Sequence, residues 1–173
     1  MNITLTQKER MLLEDQKAHE ELCIKKYNDY ANQAQDPQLK QMFQAHAQQE
    51  QEHLNSINQI LQGQIPNTNT QQQGQQNQQN QQGLQSQQLQ QNQQNQQMAL
   101  NQNQSKSYNQ QDAYLCEDLL TTEKYVSSGY DTTIFECIDT NLRQVLNHIQ
   151  KEEQKHGEDI SNYMISQGMY NPQ

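Results

Sequence analysis

Apolar residues recur at helical spacing in two blocks of the chain. Leu13, Cys23, Ile24, Tyr27 and Ala31 fall on one stripe, and Leu39, Met42, Phe43, Ile57 and Ile60 on the next. In the second block Cys116, Leu119, Val126, Tyr130 and Ile134 are followed by Leu142, Val145, Leu146, Ile149, Ile160 and Met164. A period near 3.6 with one apolar face predicts four amphipathic helices, and no run alternates as a strand would. Stop and start signals divide them. Thr6-Gln-Lys-Glu9 is a capping box that opens helix 1, which runs to about Ala34. Asp36-Pro37 supplies an N-cap and a first-turn proline for helix 2, which ends near Leu61. Asp112 is expected to cap helix 3, Asp139 caps helix 4, and Gly168 with Pro172 ends it.

The stretch between the blocks is of another kind. Residues 54–105 carry no charged side chain, and residues 71–104 hold 20 Gln and 6 Asn. Such a segment has too little apolar surface to offset the entropy of ordering it, so a disordered linker is expected over 64–111. Its amides can self-associate or act as acyl donors in cross-linking; the plainer reading is a spacer. The hairpins are thus 5–63 and 112–170, and together they make one split domain, an all-α four-helix bundle.

Only 31% of residues are hydrophobic and the mean hydropathy is -1.25, so the core must be built from those two blocks. The formal net charge of -9 argues against a nucleic-acid partner, which needs clustered Lys and Arg. No apolar run approaches a membrane span, and the N-terminal segment has no apolar leader core. Synthesis and retention on the cytoplasmic side of the producing cell are expected. Cys23, Cys116 and Cys137 are odd in number and lack Cys-x-x-Cys spacing, and they read as small buried apolar residues.

The two blocks are copies. Aligning 12–61 with 115–164, an offset of 103 residues, gives 12 identities in 50 ungapped positions. Among them are Glu20 with Glu123, Glu50 with Glu153 and His53 with His156. Glu20 and Glu50 lie equally far from the intervening turn, each roughly 22 Å along its helix, so an antiparallel hairpin sets them level. Glu123 and Glu153 repeat the arrangement. All six side chains fall on the apolar stripes, where an isolated carboxylate would cost several kcal/mol.

Four carboxylates and two imidazoles at one depth are the ligand set with which a four-helix bundle holds two metal ions. Carboxylate mixed with imidazole favours iron or manganese. Glu50 and Glu153 would bridge, while Glu20, Glu123, His53 and His156 would be terminal ligands. Two ions roughly 3.5–4 Å apart could hold peroxide or dioxygen. The other reading is a metal-free core in which the same groups hydrogen-bond to one another. Tyr27 and Tyr130 lie on the same faces and either orient a carboxylate or are core residues with satisfied hydroxyls. His46 points inward but is matched by Ile149, and reads as a packed core histidine. His19 and His148 read as surface, and Glu14-Asp15 with Glu117-Asp118 as a solvated acidic face.

About 50 flexible residues reach roughly 35–40 Å, enough to cross the bundle. Helices 2 and 3 could therefore run parallel, with a pseudo-two-fold axis uniting the half-sites. The same slack allows hairpins exchanged between two chains, so a homodimer is also open.

Thr122-Glu-Lys-Tyr-Val-Ser-Ser-Gly-Tyr-Asp-Thr-Thr133, Leu142-Arg-Gln-Val-Leu, Glu152-Glu-Gln-Lys-His-Gly157 and the ending Tyr163-Met-Ile-Ser-Gln-Gly-Met-Tyr170 closely resemble the coat F family of bacterial spore coat proteins. The resemblance covers about 55 residues, with the first block a fainter copy. It implies a ferritin-like bundle, synthesis in the mother cell, and a place in the spore coat among other coat proteins. It implies no established reaction. The six-position pattern is also similar to that of ferritins and rubrerythrins, although the interval from Glu to Glu-x-x-His is shorter by about one helical turn. No cysteine-rich electron-transfer module accompanies it. Two functions remain: a structural coat protein with a vestigial or working di-metal site, or a di-iron or di-manganese enzyme acting on peroxide or dioxygen.

Overall fold

The structure is a computed structural model and describes residues 2–66 and 108–171. Its helices are α1 (Gln7–Gln33), α2 (Pro37–Leu61), α3 (Gln110–Glu136) and α4 (Thr140–Gln167). The described residues form an all-α bundle of two antiparallel hairpins, α1–α2 and α3–α4, that share one apolar core. The linker expected over 64–111 lies for the most part outside the described residues, as does Pro172.

The helix starts follow from local chemistry. The hydroxyl of Thr6 accepts from the backbone of Glu9, whose carboxylate accepts in return from the Thr6 backbone at 2.7 Å, closing the capping box. Asp36 caps α2 ahead of Pro37, and Asp139 caps α4 through the backbone N–H groups of Asn141 and Leu142. Helix α4 ends at Gly168, whose φ of 73° is the left-handed conformation that glycine adopts without penalty.

Helix α3 starts differently from the expectation. Its N-cap is Asn109, which accepts from the backbone of Asp112 at 3.0 Å. Asp112 is buried instead, and its two oxygens accept from the backbone of Gln35 and Asp36 at 2.8 and 3.0 Å in the α1–α2 turn. Glu9, the residue 103 positions earlier, does the same for the other hairpin by accepting from the backbone of Ile138 at 2.9 Å. Each hairpin therefore fastens the turn of the other with a carboxylate from its own first helical turn, which satisfies donors that no helix ladder can reach.

Two antiparallel ladders join the hairpins. Between α1 and α3, Gln16 bonds Thr133, Tyr130 bonds Glu20, Tyr27 bonds Glu123, and Lys26 pairs with Asp118. Between α2 and α4, His53 meets Glu152, His156 meets Gln49, and Tyr163 bonds Asp36. With α1 antiparallel to both α2 and α3, helices α2 and α3 run parallel. No helix among the described residues is long and apolar enough to cross a membrane.

Candidate metal centre

Midway along the bundle each helix contributes inward-facing polar groups. These are Glu20 from α1, Glu50 and His53 from α2, Glu123 from α3, and Glu153 and His156 from α4, all at most 3% exposed. The i, i+3 spacing of Glu50 with His53, and of Glu153 with His156, sets each pair on one helix face. The antiparallel hairpins bring Glu20 and Glu123 to the same level. All six residues singled out in the sequence therefore meet.

They meet as two overlapping groups. Glu20, Glu50, His53 and Glu153 form one, and Glu50, Glu123, Glu153 and His156 the other; within each, one ligand atom per residue lies within 4.8 Å of all the rest. Glu50 and Glu153 belong to both. Oε2 of Glu50 is 3.2 Å from Nδ1 of His53 and its Oε1 is 3.0 Å from Nδ1 of His156. Glu153 likewise turns Oε1 to His53 at 2.9 Å and Oε2 toward His156 at 3.8 Å. One oxygen of each shared carboxylate faces each half, the disposition of a bridging ligand.

Both imidazoles point Nδ1 inward and Nε2 outward. Nε2 of His53 lies 2.8 Å from Oε2 of Glu152, and Nε2 of His156 lies 3.1 Å from Oε1 of Gln49. An acceptor on Nε2 holds a proton there, so that loss of the Nδ1 proton would leave its lone pair facing the carboxylates, as metal-binding histidines require. Tyr27 donates to Glu123 and Tyr130 donates to Glu20, which orients the two unshared carboxylates. Gln49 with Glu152 and Tyr27 with Tyr130 are counterparts at the 103-residue offset, so the pseudo-two-fold extends beyond the six residues.

Without metal the cluster balances its charge with protons. Burial, then the charge of Glu153, pushes the Glu20 carboxyl well above its usual range; burial and the charges of Glu153 and Glu50 do the same to Glu123. Burial would also raise Glu50, but hydrogen bonds from His156 and His53 overcome it and hold Glu50 below the usual range. Glu153 is lowered too, against burial and the Glu50 charge, by His53 and His156. Burial opposes charging of His53, yet Glu153, Glu152 and Glu20 raise it well above normal. His156 is raised to about 10, against burial, by Glu153 and Glu50. Two ionised carboxylates thus face two imidazolium rings.

That balance leaves buried atoms unserved. Among the described residues, Glu20 Oε2, Glu123 Oε2 and both oxygens of Glu153 have no hydrogen-bond partner; the Glu153–His53 contact is close but misaligned. Buried acceptors of this kind are rare without a cause. Two divalent cations would satisfy them and would replace the charge of four protons, so the donor set fits metal on chemistry and on charge. The two clusters could each hold an ion.

The neighbours were only partly legible. His46 is buried as expected, stacked on His156 with ring centroids 4.2 Å apart and Nε2 3.5 Å from Asp159. His19 and His148 are half-buried rather than on open surface, His19 edge-on to Tyr125. Glu14, Asp15 and Glu117 are exposed, but Asp118 is not a plain solvated acid: it accepts from Lys26 at 2.7 Å and Tyr30 at 2.8 Å between α1 and α3. The three cysteines are buried and unpaired. Glu152 and Gln49 escaped the sequence reading, although each directly precedes a carboxylate ligand candidate and the repeat pairs them.

The family model of the Coat F domain matches residues 111–173. The match covers the second hairpin, which is thus similar to a Coat F domain, and the first hairpin lies outside it. No curated protein and no solved structure matches the chain.

Proposed function

We propose that the protein is a structural component of the bacterial spore coat whose ferritin-like bundle holds two divalent ions, iron or manganese. One observation carries the reading: the hairpin that matches the Coat F domain supplies Glu123, Glu153 and His156, half of the buried cluster. The parallel run of α2 and α3 supports the ferritin-like assignment. Glu50 and Glu153 would serve both ions, with Glu20 and His53 completing one half-site and Glu123 and His156 the other. Ligands drawn from α1, α2, α3 and α4 would then be tied together at the middle of the bundle, which would stiffen it. Synthesis takes place in the mother cell, and the other partners are further coat proteins. A dimer by hairpin exchange is a second assembly open to the same contacts.

The test is metal content. Protein purified after growth with iron and manganese is expected to retain about two ions per chain, by the ligand count of such centres, and Glu50→Ala to lose both. Absence of metal from the unaltered protein, or absence of the protein from purified coats, would overturn the corresponding half of the reading. The sharing of Glu50 and Glu153 between half-sites favours a second reading, turnover of peroxide or dioxygen. Peroxide consumption by the metal-loaded protein that is lost in Glu50→Ala would establish it.

A further inference from the structure

The two hairpins differ in how they cover the centre. A cleft of about 450 Å³ lies between α3 and α4, and its lining includes Glu123, Ser127, Glu153, Gly157 and Ser161. Two of these are the carboxylates with unpartnered buried oxygens, Glu123 at Oε2 and Glu153 at both atoms. The opening depends on small side chains. A Cβ at Gly157 would stand 3.6 Å from Leu120 Cδ1 and 3.9 Å from Glu123 Cβ, so a larger side chain there would sit over the centre. At the 103-residue offset, Gly157 corresponds to Leu54 and Ser127 to Ile24. The first hairpin thus places branched apolar side chains where the Coat F hairpin has a hydrogen atom and a hydroxymethyl group.

The cleft wall is more apolar than polar, and Lys124 shares it with the oxygen-bearing side chains. Ser127 and Ser161 offer hydroxyls along it, and Glu158 lies at its exposed rim, 3.2 Å from Lys155. Hard divalent cations exchange water for oxygen ligands one at a time, and a path of hydroxyls ending in carboxylates allows that exchange. We propose that this cleft is the entry path for divalent cations, through which an ion reaches Glu123 and Glu153 from the α3–α4 side. The inference rests on the metal-binding reading above and goes beyond it by assigning the direction of loading and the residues that keep the path open.

The experiment follows cobalt(II) uptake by metal-free, full-length protein in stopped flow, from the absorption of the bound ion. Gly157→Leu combined with Ser127→Ile reproduces the first hairpin on the second. It is expected to slow uptake on the order of tenfold or more, as binding that must await a conformational opening does, while the final stoichiometry stays unchanged. Uptake at the unaltered rate by the folded double variant would overturn the proposal. Replacing a helical glycine favours the helix; should the pair nonetheless fail to fold, the reverse exchange decides. Leu54→Gly with Ile24→Ser opens the first hairpin and is expected to load faster, and an unchanged rate in this variant would likewise refute the path. No cobalt uptake by the unaltered protein would instead overturn the metal centre itself.

Discussion

Nε2 of His53 lies 2.8 Å from the carboxylate of Glu152, whereas the same atom of His156 faces the neutral amide oxygen of Gln49 at 3.1 Å. A carboxylate makes the imidazole it holds a stronger donor than an amide does, so the two proposed half-sites would hold metal unequally although their six inner groups are matched. Glu152→Gln is expected to weaken binding at the His53 half-site by about 10–100-fold and to bring the two affinities together. Gln49→Glu is expected to tighten the His156 half-site. Manganese titration followed by electron paramagnetic resonance reads both steps, and an unchanged first affinity in both variants would refute the assignment.

Tyr27 and Tyr130 test the pseudo-symmetry. Each fully buried hydroxyl donates to the carboxylate opposite. Tyr27→Phe and Tyr130→Phe are each expected to cost about 1–3 kcal/mol in the metal-free protein, because a buried carboxyl loses its donor. Urea unfolding monitored by circular dichroism measures this. Neutral substitutions would mean that water replaces the phenols.

Proton linkage gives a pH dependence of defined sign. Histidine normally titrates near 6.5, and His156 keeps its proton to about 10, with His53 also well above normal. Above 6.5 the unfolded chain releases these protons while the folded, metal-free chain holds them, so stability falls as pH rises. The stabilisation is whole below 6.5 and is lost as pH climbs through about 10. Glu20 and Glu123, raised above 4.5, act in the same direction. The midpoint of thermal unfolding with chelator present is expected to fall by about 5–10 °C between pH 6.5 and 9. Metal held by the proposed centre would displace these protons, so its own stabilisation would grow over the same range. Calorimetry with and without chelator checks both slopes, and a metal-free midpoint that rises with pH contradicts the proton inventory.

Glu20 and Tyr130 can be replaced together. Glu20→Leu alone strands the Tyr130 hydroxyl, while Glu20→Leu with Tyr130→Phe removes both partners. Buried polar groups exchanged for apolar ones of similar volume are often neutral or stabilising by about 1–4 kcal/mol. The double variant is expected to match or exceed the metal-free stability of the unaltered protein and to lose the ion of the His53 half-site. Destabilisation by several kcal/mol would instead give the pair a structural role that metal does not explain.

Periodicity and the 103-residue offset made the helices and all six inner groups legible, because spacing along one helix determines which residues share its face. What lies across from a residue is not contained in that spacing. Glu152 and Gln49 act on histidines of the opposite hairpin, and the register between hairpins is set by packing, chiefly of α1 on α3. Asp112 was misread for a different reason: aspartate is a favoured N-cap, and the local rule pointed to it. The offset carried the correction, since Thr6 maps onto Asn109 and Glu9 onto Asp112. Applied to the helix starts, the repeat identifies both the cap and the clasp. Gly157 is also visible as an exception to the repeat, though only the folded structure shows that it lines a cleft beside Glu123 and Glu153.

Neither hairpin owns a complete half-site. The group around His53 borrows Glu153 from α4, and the group around His156 borrows Glu50 from α2. A gene encoding one such hairpin would have a full centre only as a symmetric pair of identical subunits. Fusing two copies in tandem removes the need to find a mate and frees each copy to drift. Here that drift shows as glutamate against glutamine behind the histidines, and as glycine against leucine above the carboxylates.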